Sequence, residues 1–145
     1  MLTALAGWFA FTTLSFIAAL HVYWGLGGLW PAANEADLVK TVIGISRSPT
    51  MPASATTLLV AALILAAACF GLARGVLGLD GLILLRIPLG VIAIIMLARG
   101  VYAYLPGPFS RATEPFASLN ATFFSPAILL LSLAFAYLTL SSAAR

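Results

Sequence analysis

The chain has 145 residues, of which 63% are hydrophobic and 8% are charged, and its net charge is +3. A soluble domain carries about 45–50% apolar and about 25% charged residues. A soluble fold of this composition would expose apolar patches far larger than monomers tolerate. The composition therefore excludes an ordinary soluble domain, and the absence of any cluster of Lys and Arg excludes a nucleic-acid partner.

Four apolar stretches follow one another along the chain, at residues 4–27, 55–75, 82–105 and 123–140. Each is long enough for a membrane crossing, which needs about 20 apolar residues, and backbone groups in lipid must be paired within the segment. We therefore predict an all-α membrane protein, a four-transmembrane-helix bundle that forms a single domain over residues 1–145. The first stretch lacks the basic start of a signal peptide, so we expect it to be retained.

Four crossings place both termini on one side of the membrane. The first and third connections then lie together on the other side, which we call the loop face. Within the first connection, Asn34 precedes Glu35 and Asp37 in the pattern of an N-cap with acids in the first turn. A short interfacial helix is predicted over residues 35–46, with one apolar face formed by Leu38, Val42 and Ile45.

The third apolar stretch contains two arginines, Arg86 and Arg99, with only 12 residues between them. So short a segment cannot cross the bilayer alone, because a helix rises about 1.5 Å per residue. The helix must include at least one arginine, and we predict that Arg99 lies within the hydrocarbon region.

Polar and aromatic residues gather toward the loop face. The first and third spanning helices run in the same direction, and His21 and Arg99 each lie about 6 residues before the predicted helix end. That spacing puts both about 9 Å inside the loop face. Aromatic side chains follow each of them, and Asn120 approaches from the same side. The predicted ligand-binding residues are His21, Tyr23, Trp24, Arg99, Tyr102 and Asn120.

Each of these residues also has a structural interpretation. His21 could form an ordinary interhelical hydrogen bond. Arg99 could extend to the head groups, or it could have a buried partner. Tyr23 and Trp30 could belong to an interfacial aromatic belt. A buried Arg99 without an embedded carboxylate would need an anionic ligand, a carbonyl or Asn120 as its acceptor.

Two further patterns indicate structure. Ser125 followed by Pro126 is typical of an N-cap with proline at the first helical position, which would start the fourth helix there. Ala67, Gly71 and Gly75 recur at four-residue spacing, which favours close helix packing within the bundle or between subunits.

The His21-x-Tyr23-Trp24-x-x-Gly27-Gly28 segment, the late arginine of the third helix, residues 113–120 and Ser125-Pro126 occur in this order. Together they resemble an uncharacterised family of small bacterial four-helix membrane proteins, over nearly the whole chain. The resemblance implies an aspartate where Asn120 stands and Ser-Pro-Leu-Cys where this chain has residues 125–128. The segment 113–116 is also one residue longer here. The resemblance implies architecture and site location, and it implies no activity.

The sequence lacks the residues that several functions of membrane proteins require. A proton-coupled transporter and a Ser-His-acid hydrolase both require a carboxylate that the apolar stretches do not contain. A zinc site lacks ligands, and haem ligation would require the pair His21 and Met96. No catalytic motif is found, and any cofactor is unknown.

The favoured interpretation is an aromatic-rimmed polar pocket that binds a lipid- or quinone-like amphiphile. The alternatives are a subunit of an oligomeric pore or small exporter, and an accessory subunit of a larger membrane complex. Expected partners are membrane lipid, an amphiphilic small molecule and further copies of the chain. The expected location is the bacterial inner membrane, as a multi-pass protein.

Basic residues do not decide the orientation, because each face has three. The loop face carries Lys40, Arg47 and Arg111, and the other face carries Arg74, Arg86 and Arg145. The long first connection, rich in Trp and Pro, favours an exported loop face with cytoplasmic termini.

Overall fold

A computed structural model describes residues 1–44, 48–79, 83–107 and 112–141. The regular structure in these ranges is entirely helical. The elements are α1 (Leu2–Gly25), α2 (Glu35–Val42), α3 (Ser54–Gly75), α4 (Ile83–Tyr102), α5 (Phe116–Leu119), a π-helical segment (Asn120–Phe124) and α6 (Ser125–Leu140).

Four helices are long and apolar enough to cross a membrane: Leu2–Gly25, Ser54–Gly75, Leu84–Tyr102 and Phe116–Leu140. The last of these joins α5, the π-helical segment and α6 into one continuous span. The prediction of an all-α protein with four membrane-spanning helices is thereby confirmed. α4 continues past Arg99 to Tyr102, as the short gap after Arg86 predicted.

The helix ends differ from the predicted ranges at several points. α1 ends at Gly25 and α4 ends at Tyr102, each slightly earlier than predicted. The predicted start of α4, at residue 82, lies outside the described residues. The largest difference is at the fourth span, which begins at Phe116 and not near residue 123. Asn120, predicted to precede the helix, and Ser125, predicted to be its N-cap, lie inside the helix and are 3% and 0% exposed. The predicted N-cap at Ser125 is therefore wrong.

The four spans form two antiparallel pairs. α1 packs most extensively against α3, and α4 packs against α6, while contacts between α1 and α6 join the pairs. The core between them is made of small and branched apolar residues that recur at helical spacing: Ala10, Leu14, Ala68, Leu89, Ala93, Leu131, Phe135 and Leu138.

The glycine stripe of α3 packs within the bundle, against α1. A Cβ on Gly75 would lie 2.5 Å from the Cα of Gly7, and a Cβ on Gly71 would lie 3.1 Å from the Cβ of Ala10. No side chain fits at Gly75 unless the two helices separate. The small residues therefore set the close approach of α1 and α3, as small residues do in membrane bundles.

α2 begins at the predicted N-cap. The Asn34 side chain accepts a hydrogen bond from the Asp37 backbone N–H at 3.0 Å and donates one to the Asp37 carboxylate at 2.8 Å. Lys40 lies 3.2 Å from the same carboxylate. The hydrogen bond from Asn34 and then the charge and hydrogen bond of Lys40 lower the pKa of Asp37. The side chains of Asn34, Asp37 and Lys40 thus stabilise the first turn of α2.

The two connections of the loop face contact each other. The Gly44 carbonyl accepts hydrogen bonds from the Thr113 backbone N–H at 2.9 Å and from the Thr113 hydroxyl at 3.1 Å. Gly44 has φ +67°, and the Phe116 ring fills the space where a Cβ would stand. Leu38 and Val39 of α2 are buried by protein. α2 ends at Val42, before the predicted residue 46, and Ile45 lies outside the described residues.

Candidate functional site

His21 lies in the last turns of α1 and is half-buried. Its Nδ1 is 2.8 Å from the Ile17 carbonyl oxygen, one turn earlier in the same helix. A carbonyl oxygen can only accept a hydrogen bond, so Nδ1 carries the proton and the Nε2 of the neutral ring is an acceptor. No residue that the structure describes is bonded to Nε2. The hydrogen bond of His21 is therefore local to α1, not interhelical.

Trp24 packs against the imidazole. The two ring centroids are 5.3 Å apart at an interplanar angle of 61°, an edge-to-face contact. The Trp24 Nε1–H donates to the Trp30 carbonyl at 2.8 Å, which folds the following loop back over the helix end. Tyr23 points elsewhere: it is 45% exposed, and its ring lies over Gly28.

A groove of about 150 Å³ opens beside His21 and Trp24. The end of α1, the end of α2 and the first turns of α3 form its walls. The lining residues are His21, Trp24, Val42, Ile43, Met51, Pro52, Thr56, Thr57 and Val60. Most of these side chains are apolar, and none of them belongs to α4 or to the span Phe116–Leu140.

A second polar cluster joins α4 to the fourth span. The Arg99 Nη2 donates to the Asn120 Oδ1 at 2.9 Å, and the Ser125 hydroxyl donates to the same oxygen at 3.2 Å. The predicted hydrogen bond between Arg99 and Asn120 is present. Asn120 is 3% exposed, so its amide oxygen gives the half-buried guanidinium of Arg99 a neutral acceptor inside the bundle.

This cluster lies on a turn of π-helix. The Ser125 backbone N–H bonds to the Asn120 carbonyl, five residues back, instead of the Ala121 carbonyl, four residues back. The Tyr104 hydroxyl donates to that displaced Ala121 carbonyl at 2.8 Å. Pro126 follows at once and has no N–H to continue the regular ladder. Single π-turns of this kind occur frequently at functional sites.

The predicted site residues thus fall into two clusters. His21 and Trp24 lie on the α1–α3 pair, and Arg99 and Asn120 lie on the α4–α6 pair, each near the helix end at the loop face. Tyr102 is 39% exposed and does not line the groove. Their shared depth in the membrane stays a prediction, and the structure does not bring all of them into one pocket.

Sequence reasoning missed Arg74, which it treated as a cation near the opposite interface. Arg74 is 2% exposed, and its Nη2 donates to the Ser141 carbonyl at 2.7 Å and to the Ser141 hydroxyl at 3.2 Å. It binds the C-terminal end of α6, where helix carbonyls lack partners and favour a cation. A basic residue in the last turn of one helix, with another helix ending on the same side, was the available signal.

The fold and these clusters define a small multi-pass membrane protein built from four helices. The chain belongs to the family of proteins of unknown function designated DUF3995, whose model matches residues 14–135. No curated protein and no solved structure matches it significantly. The match includes both polar clusters. The His-x-Tyr-Trp segment as a signature of that family stays a prediction.

Proposed function

We propose that the groove beside His21 and Trp24 binds the polar head of a lipid- or quinone-like membrane amphiphile at the loop face. The observation that carries this proposal is that His21, whose Nε2 has no hydrogen-bond partner among the described residues, lines a groove whose other walls are mostly apolar. Ligand sites commonly combine apolar walls with a few polar groups that fix orientation.

The size of the groove limits what enters it. Sites that enclose a whole drug-sized ligand measure about 300–1,000 Å³, and this groove measures about 150 Å³. It therefore suits a head group alone. The chain of the amphiphile would lie outside, along the exposed apolar residues Leu58 and Leu59 at the start of α3, where lipid is the expected solvent.

The proposal rests on His21 and Trp24, and it assigns a different role to the second cluster. Arg99 and Asn120 are bonded to each other and hold α4 to the fourth span. Tyr23 and Tyr102 do not line the groove. The proposed ligand site is therefore narrower than the set of residues predicted from sequence.

A photoaffinity experiment tests the proposal. The full-length protein in lipid nanodiscs is irradiated with 4-decylphenol that carries a diazirine in its alkyl chain, and the labelled peptides are mapped by mass spectrometry. We expect labelling to concentrate at the end of α1 and the start of α3, and unlabelled 4-decylphenol to compete for it.

A matched pair of variants makes the test specific. Val60→Trp fills the groove from its α3 wall, while Val91→Trp adds the same ring to an exposed valine of α4; the two valines are 38% and 49% exposed. We expect Val60→Trp to abolish the saturable labelling and Val91→Trp to leave it unchanged. Labelling spread evenly along all four helices, or equal in both variants, would refute the proposal.

A further inference from the structure

Resting on the proposed function, we infer that the groove selects a head group consisting of one ring that bears a hydroxyl donor, such as a phenol or a hydroquinone. A quinone, which has only carbonyl acceptors, and a phenyl ether would then bind more weakly. The inference specifies the chemical class of the ligand, which the groove's location alone does not give.

The tautomer of His21 is the first step. Its Nδ1–H is fixed by the Ile17 carbonyl at 2.8 Å, so the second ring nitrogen, Nε2, has a lone pair and no proton in the neutral ring. His21 lines the groove, and Nε2 has no hydrogen-bond partner among the residues that the structure describes. The imidazole therefore offers an acceptor to the ligand, and an acceptor recognises a donor.

The other polar groups of the groove offer few donors. The Trp24 Nε1–H is bonded to the Trp30 carbonyl at 2.8 Å. The Thr57 hydroxyl is directed at the carbonyls of Pro52 and Ala53, at 3.5 Å and 3.4 Å. The hydroxyl of Thr56 is exposed and can donate or accept. Among the side chains that line the groove, only the Thr56 hydroxyl offers a ligand carbonyl an exposed donor, while a ligand hydroxyl finds the imidazole.

The volume and the walls indicate the ring. An apolar cavity of about 150 Å³ is known to hold a benzene molecule, and the groove has about 150 Å³. The apolar walls, which include Val42, Ile43 and Met51, favour an aromatic ring over a sugar. A sugar ring would carry several hydroxyls into this groove, and most of them would lack partners.

The test compares 4-decylphenol with 4-decylanisole, two probes that share the ring and chain, where a methoxy group replaces the hydroxyl donor in the second. Dissociation constants are measured with the full-length protein in nanodiscs, by competition against the photoaffinity probe. We expect the phenol to bind about tenfold more tightly, the effect of one hydrogen bond.

Two variants connect the difference to His21. His21→Phe keeps a ring and removes the acceptor, so the two probes should bind equally. His21→Gln restores an acceptor oxygen near the position of Nε2 and should recover part of the preference for the phenol. Circular dichroism and thermal unfolding check that both variants keep their helices.

The outcomes separate the two proposals. If both probes bind with equal affinity and Val60→Trp blocks both, the groove binds amphiphiles and the donor inference is wrong. If the anisole or decyl-benzoquinone binds more tightly than the phenol, the assigned tautomer is wrong. If Val60→Trp affects no probe, the groove is not the binding site and the proposed function fails with the inference.

Discussion

Replacing Asn120 by alanine tests the buried polar cluster most directly. The Asn120 Oδ1 accepts hydrogen bonds from Arg99 at 2.9 Å and from Ser125 at 3.2 Å, so its removal leaves two donors without their acceptor. A hydrogen bond to a charged group contributes about 1.5–3 kcal/mol and a neutral one about 0.5–1.5 kcal/mol, while bonds between membrane helices average lower. We expect Asn120→Ala to lower the free energy of unfolding by about 2–3 kcal/mol.

The assay is equilibrium unfolding in mixed micelles titrated with a denaturing detergent, followed by circular dichroism. Ser118→Ala, an exposed substitution two residues earlier, is the control and should change the free energy by less than about 0.5 kcal/mol. Asn120→Asp keeps the acceptor and adds a charge opposite to that of Arg99, so it should unfold within about 1 kcal/mol of the unsubstituted chain. If Asn120→Ala behaves like Ser118→Ala, the cluster does not hold α4 to the fourth span.

Three further predictions concern stability. Arg74→Ala should lower the free energy of unfolding by about 1.5–3 kcal/mol, and Arg86→Ala, at a half-buried position, by clearly less in the same titration. Gly75→Ala should cost about 1–3 kcal/mol by forcing α1 and α3 apart, whereas Gly90→Ala meets its nearest atom at 3.6 Å and should be tolerated. The lowered pKa of Asp37 means that its stabilisation of α2 persists above the unfolded-state pKa of about 3.9 and is lost as the pH falls through the folded-state value. The protection factors of the α2 amides, which compare each exchange rate with the intrinsic rate at the same pH, should therefore fall only in acid, and Asp37→Ala should remove that pH dependence.

The fold was predictable because a membrane-spanning helix requires an apolar stretch of about 20 residues, and the sequence contains four such stretches. The start of the fourth span was not, because Asn120 and Ser125 are polar residues that normally mark a loop. Inside the bundle they bond to each other and to Arg99, so their polarity is satisfied within the helix. Pro126 added to the error, because proline is typical of the first helical position, whereas here it follows a π-turn inside a continuous span.

The position of each candidate site residue along its helix was predictable, but the neighbouring helix that each residue faces was not. Counting residues from the helix ends placed His21 and Arg99 at the same level, and both lie near the ends of their helices. Counting does not reveal which neighbour each helix prefers. α1 packs on α3 because Gly7, Gly71 and Gly75 let their backbones approach, and this pairing turns His21 toward Thr57 and away from Arg99.

The pairing of α1 with α3 and of α4 with α6 also bears on how the protein is made. Each spanning helix has its main partner immediately before or after it among the spans, so the largest contacts form between neighbours along the chain. Pairing between neighbours along the chain costs less loop-closure entropy than pairing between distant spans, and it allows rapid assembly. The first hairpin, formed by α1 and α3, can close while the ribosome is still synthesising the second. The close glycine contact between these two helices can exclude lipid before α4 enters the bilayer. The later hairpin then docks, through α6, onto a surface that already exists.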